Sequence, residues 1–238
     1  MPEIYFPHMN IRINQLSRVA FQLFGIEVYW YGIIITIGII AGLAIALYIA
    51  RRTGQDTELY IDFLMYDLIF AFLGARIYYV LFQLDYYKKH PIEVFYIREG
   101  GLAIYGAVIA SVITAILYTR IKKIDFWQFA DTAVLGLIIG QAIGRWGNFV
   151  NREAFGDYTN SFFAMRIMES QVTAPITATI ANNIEIINGV SYIQVHPTFL
   201  YESLWNITLL IILLIYFKHR TFNGEIFVLY LIGYGIGR

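Results

Sequence analysis

What most constrains this chain is the stretch Val28 to Ala50, which carries no charged side chain and stops at Arg51 and Arg52. As a helix, about 20 such residues cross the hydrocarbon core of a bilayer. Comparable runs follow at Asp62 to Leu84, Gly100 to Thr119, Phe126 to Gly144, His196 to Phe217 and Ile226 onward. Charge is scarce throughout: 58% of the 238 residues are hydrophobic and 14% charged, where soluble domains carry about 25% charged residues. The expected fold is an all-α polytopic membrane protein of about six to seven transmembrane helices, with a small β-containing extracytoplasmic head. A cleavable leader is not expected, because polar-interrupted sequence precedes the first run and no basic segment opens the chain.

Other classes are excluded by what the chain lacks. It has no cysteine, hence no disulfide framework, no thiolate metal site and no thiol nucleophile of its own. The 17 Lys+Arg balance 17 Asp+Glu, so the clustered positive charge that a nucleic-acid partner requires is absent. Neither a metal nor a cofactor is expected.

Lys and Arg favour cytoplasmic loops. With residues 1–27 outside, the inner loops 51–61, 120–125 and 218–225 hold Arg51, Arg52, Arg120, Lys122, Lys123, Lys218 and Arg220, seven in 25 residues. The outer segments 1–27, 85–99 and 145–195 hold eight in 93. The N-terminus is therefore expected outside, and residues 152–195 form an extracytoplasmic head inserted between spans four and five of a single transmembrane domain, residues 1–238. Within the head, Ile184 to Ile193 places Asn188-Gly189 between two β-prone arms, the strongest short hairpin signal. Ile13 to Phe24 is expected to lie in the interface as an amphipathic helix.

Charged residues inside apolar spans are functional hypotheses by default. Asp67, Arg76 and Asp131 equally suit internal pairing, Arg76 with either acid. Arg145 and Arg238 differ. Each lies near the outer end of a span beside glycines, with no acidic residue close in sequence, and a guanidinium fork suits a phosphate. Between them the two arginines suggest an anionic ligand at lipid-headgroup level. Gly136, Gly140 and Gly144 recur every four residues and line one helix face for close packing. Beyond them, Asn148 and Asn151 can hydrogen-bond a polar headgroup.

These residues also carry a resemblance. Gly144, Arg145, Gly147, Asn148, Phe149, Asn151, Glu153 and Gly156 match the signature of the prolipoprotein diacylglyceryl transferases of bacterial inner membranes. So do, in order, Tyr31-Gly32, Gly74-Ala75-Arg76, Gly100-Gly101-Leu102, the block His196 to Glu202, and Tyr234-Gly235 with Arg238. The resemblance covers nearly the whole chain. It implies transfer of a diacylglyceryl group from phosphatidylglycerol to the lipobox cysteine thiol of a prolipoprotein, in the cytoplasmic (inner) membrane, releasing glycerol phosphate. The reactive thiol then belongs to the substrate.

By the same resemblance, Arg145 and Arg238 hold the phosphate, Asn148 and Asn151 orient the headgroup, and Tyr31, Tyr234 and Gly156 belong to the substrate cavity. Many relatives carry a histidine after the Gly100-Gly101 pair where this chain has Tyr105. A phenol of pKa near 10 is a poor base at neutral pH, so Tyr105 is expected to position a substrate oxygen or polarise the thiol, with an aromatic interface belt as its plainer role. His196-Pro197 is read as a helix start and Glu202 as the partner of an arginine such as Arg76. The family's last span and an acidic residue past the final arginine would lie beyond Arg238. A transporter or lipid flippase is the alternative from another class, without visible inverted repeats to favour it. An intramembrane protease lacks a Gly-x-Ser-x-Gly context around Ser111 or Ser203.

Overall fold

The structure, a computed structural model, describes residues 3–96 and 100–238. The outer segments 1–27 and 85–99 of the charge count reach into residues 1–2 and 97–99, which lie outside that range. Among the described residues, seven strands, β1 (Ile4–Phe6), β2 (Ile11–Ile13), β3 (Val19–Leu23), β4 (Ile26–Tyr29), β5 (Met165–Met168), β6 (Glu185–Ile187) and β7 (Val190–Val195), accompany eight α-helices. These are α1 (Trp30–Arg52), α2 (Glu58–Phe82), α3 (Leu84–Tyr87), α4 (Ile104–Lys122), α5 (Phe126–Asn151), α6 (Ala178–Ala181), α7 (Thr198–Tyr216) and α8 (Glu225–Gly237). Helices α1, α2, α4, α5 and α7 are long and apolar enough to cross a membrane, and α8 is apolar but shorter. Their outward residues, Ile40, Ile69 and Ile211 among them, are more than half exposed, which is stable only against lipid.

Local chemistry sets the helix ends. Asp125 accepts the Gln128 N–H at 2.6 Å and opens α5, as a capping carboxylate does. Lys123, left-handed at φ 56°, closes α4 as the Ile124 N–H bonds back to the Thr119 carbonyl at 3.0 Å. Helix α5 runs to Asn151, seven residues past Gly144, so the polar stretch after the apolar run is still helical.

The chain divides into two compact units. One comprises Met1–Gly42, Val134–Arg220 and Val228–Arg238, and the other Leu43–Ala133 and Thr221–Phe227. In the second, α2 and α4 pack almost backbone to backbone: a Cβ on Gly74 would lie 2.7 Å from the Gly106 carbonyl oxygen. Tyr60 stacks on Phe129 with centroids 4.9 Å apart. Arg76 is buried, but neither Asp67 nor Asp131 pairs with it. Its guanidinium donates to the carbonyls of Val94 at 2.8 Å, Glu93 at 2.6 Å, Gly100 at 3.1 Å and Gly101 at 3.0 Å, and lies over Tyr87. Gly100 and Gly101 take φ of +91° and +74°, which turns both carbonyls toward that cation. The fully buried Asp131 accepts the N–H groups of Gly224 at 2.8 Å and Phe227 at 2.9 Å, a carboxylate at the positive end of α8. Asp67 lies beside Ser111, and its buried Oδ1 has no hydrogen-bond partner among the described residues. Arg76 and Asp131 are thus satisfied mainly by backbone dipoles.

In the first unit, β2-β1-β5-β7-β6 form a five-stranded antiparallel sheet. Residues 4–13 contribute two of its strands, so the sheet extends beyond residues 152–195. Alternate residues Ile4, Phe6, Met165, Ile167, Ile193 and Val195 face a core shared with Ile180 and Phe199. The hairpin at Asn188-Gly189 is present, with φ of 51° and 81°. A buried ion pair between Arg152 and Glu3 ties the first strands to the end of α5. The segment Ile13 to Phe24 is not a helix. Val19–Leu23 and Ile26–Tyr29 pair as an antiparallel hairpin around Phe24-Gly25, where positive φ at both positions makes the tight turn and β-branched and aromatic residues on the arms favour strands.

Candidate functional site

The first unit gathers most of the expected site residues at the ends of α5, α7 and α8. The glycine stripe brings α1 onto α5: a Cβ on Gly42 would lie 2.6 Å from the Gly136 carbonyl oxygen, and one on Gly38 3.2 Å from that of Gly140. Higher up, a Cβ on Gly147 would meet the Tyr31 ring at 2.8 Å, so this glycine seats Tyr31 against α5. Three polar contacts lock the other helices. Trp146 donates its indole N–H to Ser203 at 3.1 Å, Ser203 donates to the Ala142 carbonyl at 2.9 Å, and Gln141 donates to the Tyr230 hydroxyl at 2.8 Å. Trp205 reaches the Gly233 carbonyl at 2.9 Å.

This scaffold brings Arg145 and Arg238 to one carboxylate. Glu202, on the first turns of α7, pairs with the Arg145 guanidinium, and Arg238 Nη1 donates to both its oxygens at 3.3 and 3.1 Å. Glu202 does pair with arginine, but with Arg145 and Arg238 rather than Arg76, so the two arginines that lack an acidic neighbour in sequence have one in space. The reason is tertiary: the three residues come from three helices, and sequence proximity says nothing about the ends of a bundle. Two cations and one anion leave a net charge of +1. The side chains of Arg145 and Glu202 are about four-fifths buried, at 19% and 20% exposure, whereas that of Arg238 is 60% exposed. Tyr234 lines the same niche with Trp205, Asn206 and Gly237.

A second cluster follows at the end of α5. Asn148 and Asn151 both donate their side-chain amides to Glu153 Oε1, at 3.1 and 3.2 Å. Arg152 and Ala154 flank that glutamate at φ of 57° and 51°. Non-glycine residues in this region are strained, and here the strain folds the chain so that Glu153 returns over the last helical turn, its N–H bonding the Asn148 carbonyl at 3.0 Å. Glu153 was legible only as a signature position; its grip on both asparagines was not. Tyr31, Asn151 and Glu153 line a cavity of about 510 Å³ together with Arg18, Tyr29 and Thr173. Tyr31 lies within electrostatic reach of both Glu153 and Arg145.

Gly156 donates its N–H to the His196 carbonyl at 3.0 Å, and a Cβ there would meet His196 Cβ at 2.9 Å. Its side-chain-free backbone allows the chain to pass the start of α7. His196 in turn donates its backbone N–H to the Asp157 carbonyl at 3.1 Å and precedes the first residue of α7 by two positions. Tyr105 belongs to the second unit, at the start of α4, where it is 71% exposed and tilted against Tyr78.

Fold and site together define a multi-pass helical membrane protein with a paired-arginine cluster and, at the end of α5, two asparagines held by Glu153. Residues 18–238 match the family model described as prolipoprotein diacylglyceryl transferase. Similar proteins, each named phosphatidylglycerol--prolipoprotein diacylglyceryl transferase, occur in Bacillus licheniformis (41% identity over 97% of this chain and 81% of the relative) and Oceanobacillus iheyensis (45% over 94% and 75%). Another, from Listeria welshimeri, is 42% identical over 97% of this chain and 79% of the relative. The chain belongs to the prolipoprotein diacylglyceryl transferase family.

Proposed function

We propose that this chain transfers the diacylglyceryl group of phosphatidylglycerol to the lipobox cysteine thiol of prolipoproteins, the first step of lipoprotein maturation. Family membership supports the reaction, and the Arg145–Glu202–Arg238 cluster carries the assignment of the site. In the transfer, the substrate sulfur forms a bond to the terminal glycerol carbon of the diacylglyceryl group, and the carbon–oxygen bond to phosphate breaks. The thiol proton passes to water, and glycerol phosphate leaves with the electron pair of the broken carbon–oxygen bond. A thiol of pKa near 8.5 is already a few per cent ionised at neutral pH, so the leaving group presents the larger electrostatic demand.

A phosphodiester carries one negative charge and gains a second as it becomes a monoester. Two guanidinium groups answer that gain, because fixed donors are worth most where charge develops. Arg145 is preset by its pairing with Glu202, and Arg238, more exposed, is freer to turn onto the phosphate. Asn148 and Asn151, fixed by Glu153, orient the headgroup. Tyr31 and Tyr234 line the site, Gly156 lets the chain pass close to His196, and Tyr105 positions a substrate oxygen or the thiol.

The charge bias of the loops supports a cytoplasmic-membrane protein with its N-terminus outside. The five long apolar helices and the shorter α8 support six to seven spans, and the charge bias supports the β-sheet as an extracytoplasmic head built around residues 152–195. The direct test is incubation of the purified protein with phosphatidylglycerol and a lipobox peptide, followed by mass spectrometry. A diacylglyceryl mass gain on the cysteine is expected, and an unmodified peptide contradicts the proposal.

A further inference from the structure

The 510 Å³ cavity holds a cation that the transfer reaction as described does not use, Arg18. Its backbone is fixed at the foot of the β3–β4 hairpin, where its carbonyl accepts the Trp30 N–H at 2.9 Å as α1 begins. Its guanidinium is held by Nη2 donating to the Gln171 carbonyl at 2.6 Å, and its buried Nε has no partner. Among the described residues, no carboxylate lies within ion-pairing distance of it. An anchored cation thus stands on the wall of a roomy, open cavity whose surface is mostly apolar, with a few polar groups set into it.

The rest of the lining mixes acceptors and donors. Glu153 offers a carboxylate, one oxygen of which already receives the Asn148 and Asn151 amides. Thr173 and Tyr29 donate their hydroxyl protons to the Asn151 carbonyl at 2.9 Å and to Glu27 at 2.7 Å, which leaves both oxygens free to accept. Such a set suits a vicinal diol, in which each hydroxyl both donates and accepts. Charge then decides between lipid headgroups. With Arg18 and Glu153 both in the lining, its formal charge is zero; with Glu153 alone it would be an anionic hole of the kind that draws an ammonium group.

We propose that Arg18 is a specificity residue that makes this cavity accept the uncharged glycerol headgroup of phosphatidylglycerol and reject the cationic headgroup of phosphatidylethanolamine. This rests on the transfer reaction proposed above, with the headgroup glycerol lying in the cavity while its phosphate meets the arginine cluster. One unit charge several ångströms from an ammonium, in a partly wet pocket, is worth about tenfold in relative affinity.

The test is lipid retention. The full-length protein, its Arg18→Gln variant and its Arg18→Lys variant are released from nanodiscs of equal phosphatidylglycerol and phosphatidylethanolamine content, and the bound lipids are counted by native mass spectrometry. Wild type and Arg18→Lys are expected to retain the same excess of phosphatidylglycerol, and Arg18→Gln to lose about tenfold of that ratio. If Arg18→Gln does not fold, Arg18→Met, which keeps an apolar stem, replaces it. An unchanged ratio in a folded, charge-removed variant overturns the proposal. Because retention is read without turnover, a wild type that transfers nothing to a lipobox peptide counts against the reaction, while the ratio still decides the role of Arg18.

Discussion

Glu202 receives Arg238 through both carboxylate oxygens, at 3.3 and 3.1 Å, while the same carboxylate pairs with Arg145. An acid on α7 therefore sets the spacing of two cations from α5 and α8. Replacing it with glutamine keeps the shape and removes the charge, leaving the largely buried Arg145 and the more exposed Arg238 to repel each other. Glu202→Gln should lower stability by about 2 kcal/mol, the usual order for a part-buried pair that loses one partner. In steady-state kinetics kcat should fall about tenfold with no rise in KM for phosphatidylglycerol, because the arginines stay cationic but lose their register. A raised KM at unchanged kcat would mean that Glu202 touches the lipid directly.

Glu153 orients Asn148 and Asn151 through one oxygen. Glu153→Ala frees both amides and should reduce kcat/KM by roughly tenfold or more, as misplacement of orienting groups does. Asn151→Ala alone should cost less, since Asn148 keeps its partner.

Tyr105→Phe separates chemistry from packing. If the hydroxyl positions the thiol or a substrate oxygen, transfer should fall about tenfold, within the range for one hydrogen-bonding group in a transition state. An unchanged rate would leave Tyr105 its ring contact with Tyr78 alone.

Asp157 accepts the Thr177 hydroxyl at 2.7 Å and the Tyr158 N–H at 2.9 Å. These bonds, the hydroxyl foremost, hold its carboxyl below the usual carboxylate range. A carboxyl whose pKa is lowered on folding adds stability that is fully present above its ordinary pKa of about 3.9 and is lost as pH falls through the lowered value. Thermal unfolding of the wild type should therefore show an acid-side loss below about pH 4 that Asp157→Asn reduces. Because Asp157 is exposed, the effect should be small and should weaken further with salt.

Local patterns were readable in the sequence, and convergence of distant helices was not. Except at the end of α5, which runs seven residues past Gly144, the apolar runs marked their helices to within a few residues, since length and absence of charge decide a membrane span on their own. Asn188-Gly189 fixed a hairpin because both positions take positive φ, and Gly136 and Gly140 marked the face where α1 meets α5. The misreading of Ile13 to Phe24 came from counting Arg18 and Gln22 as a polar helical face. The alternation of Val19, Phe21 and Leu23 around a Phe24-Gly25 turn was the truer signal. Glu202 escaped because its partners sit on other helices. Arg76 and Asp131 escaped because their partners are backbone groups, which no side-chain pattern announces.

The central claim is that Arg145 and Arg238 together hold the phosphate that leaves. The most direct measurement is the rate at which Arg145→Ala transfers lipid to a lipobox peptide, with Arg145→Lys beside it and folding checked by thermal unfolding. The account predicts a fall of about a hundredfold or more for alanine, the scale for losing one transition-state donor, and little rescue by lysine, which lacks the planar fork. Near-normal transfer by a folded Arg145→Ala protein would contradict it.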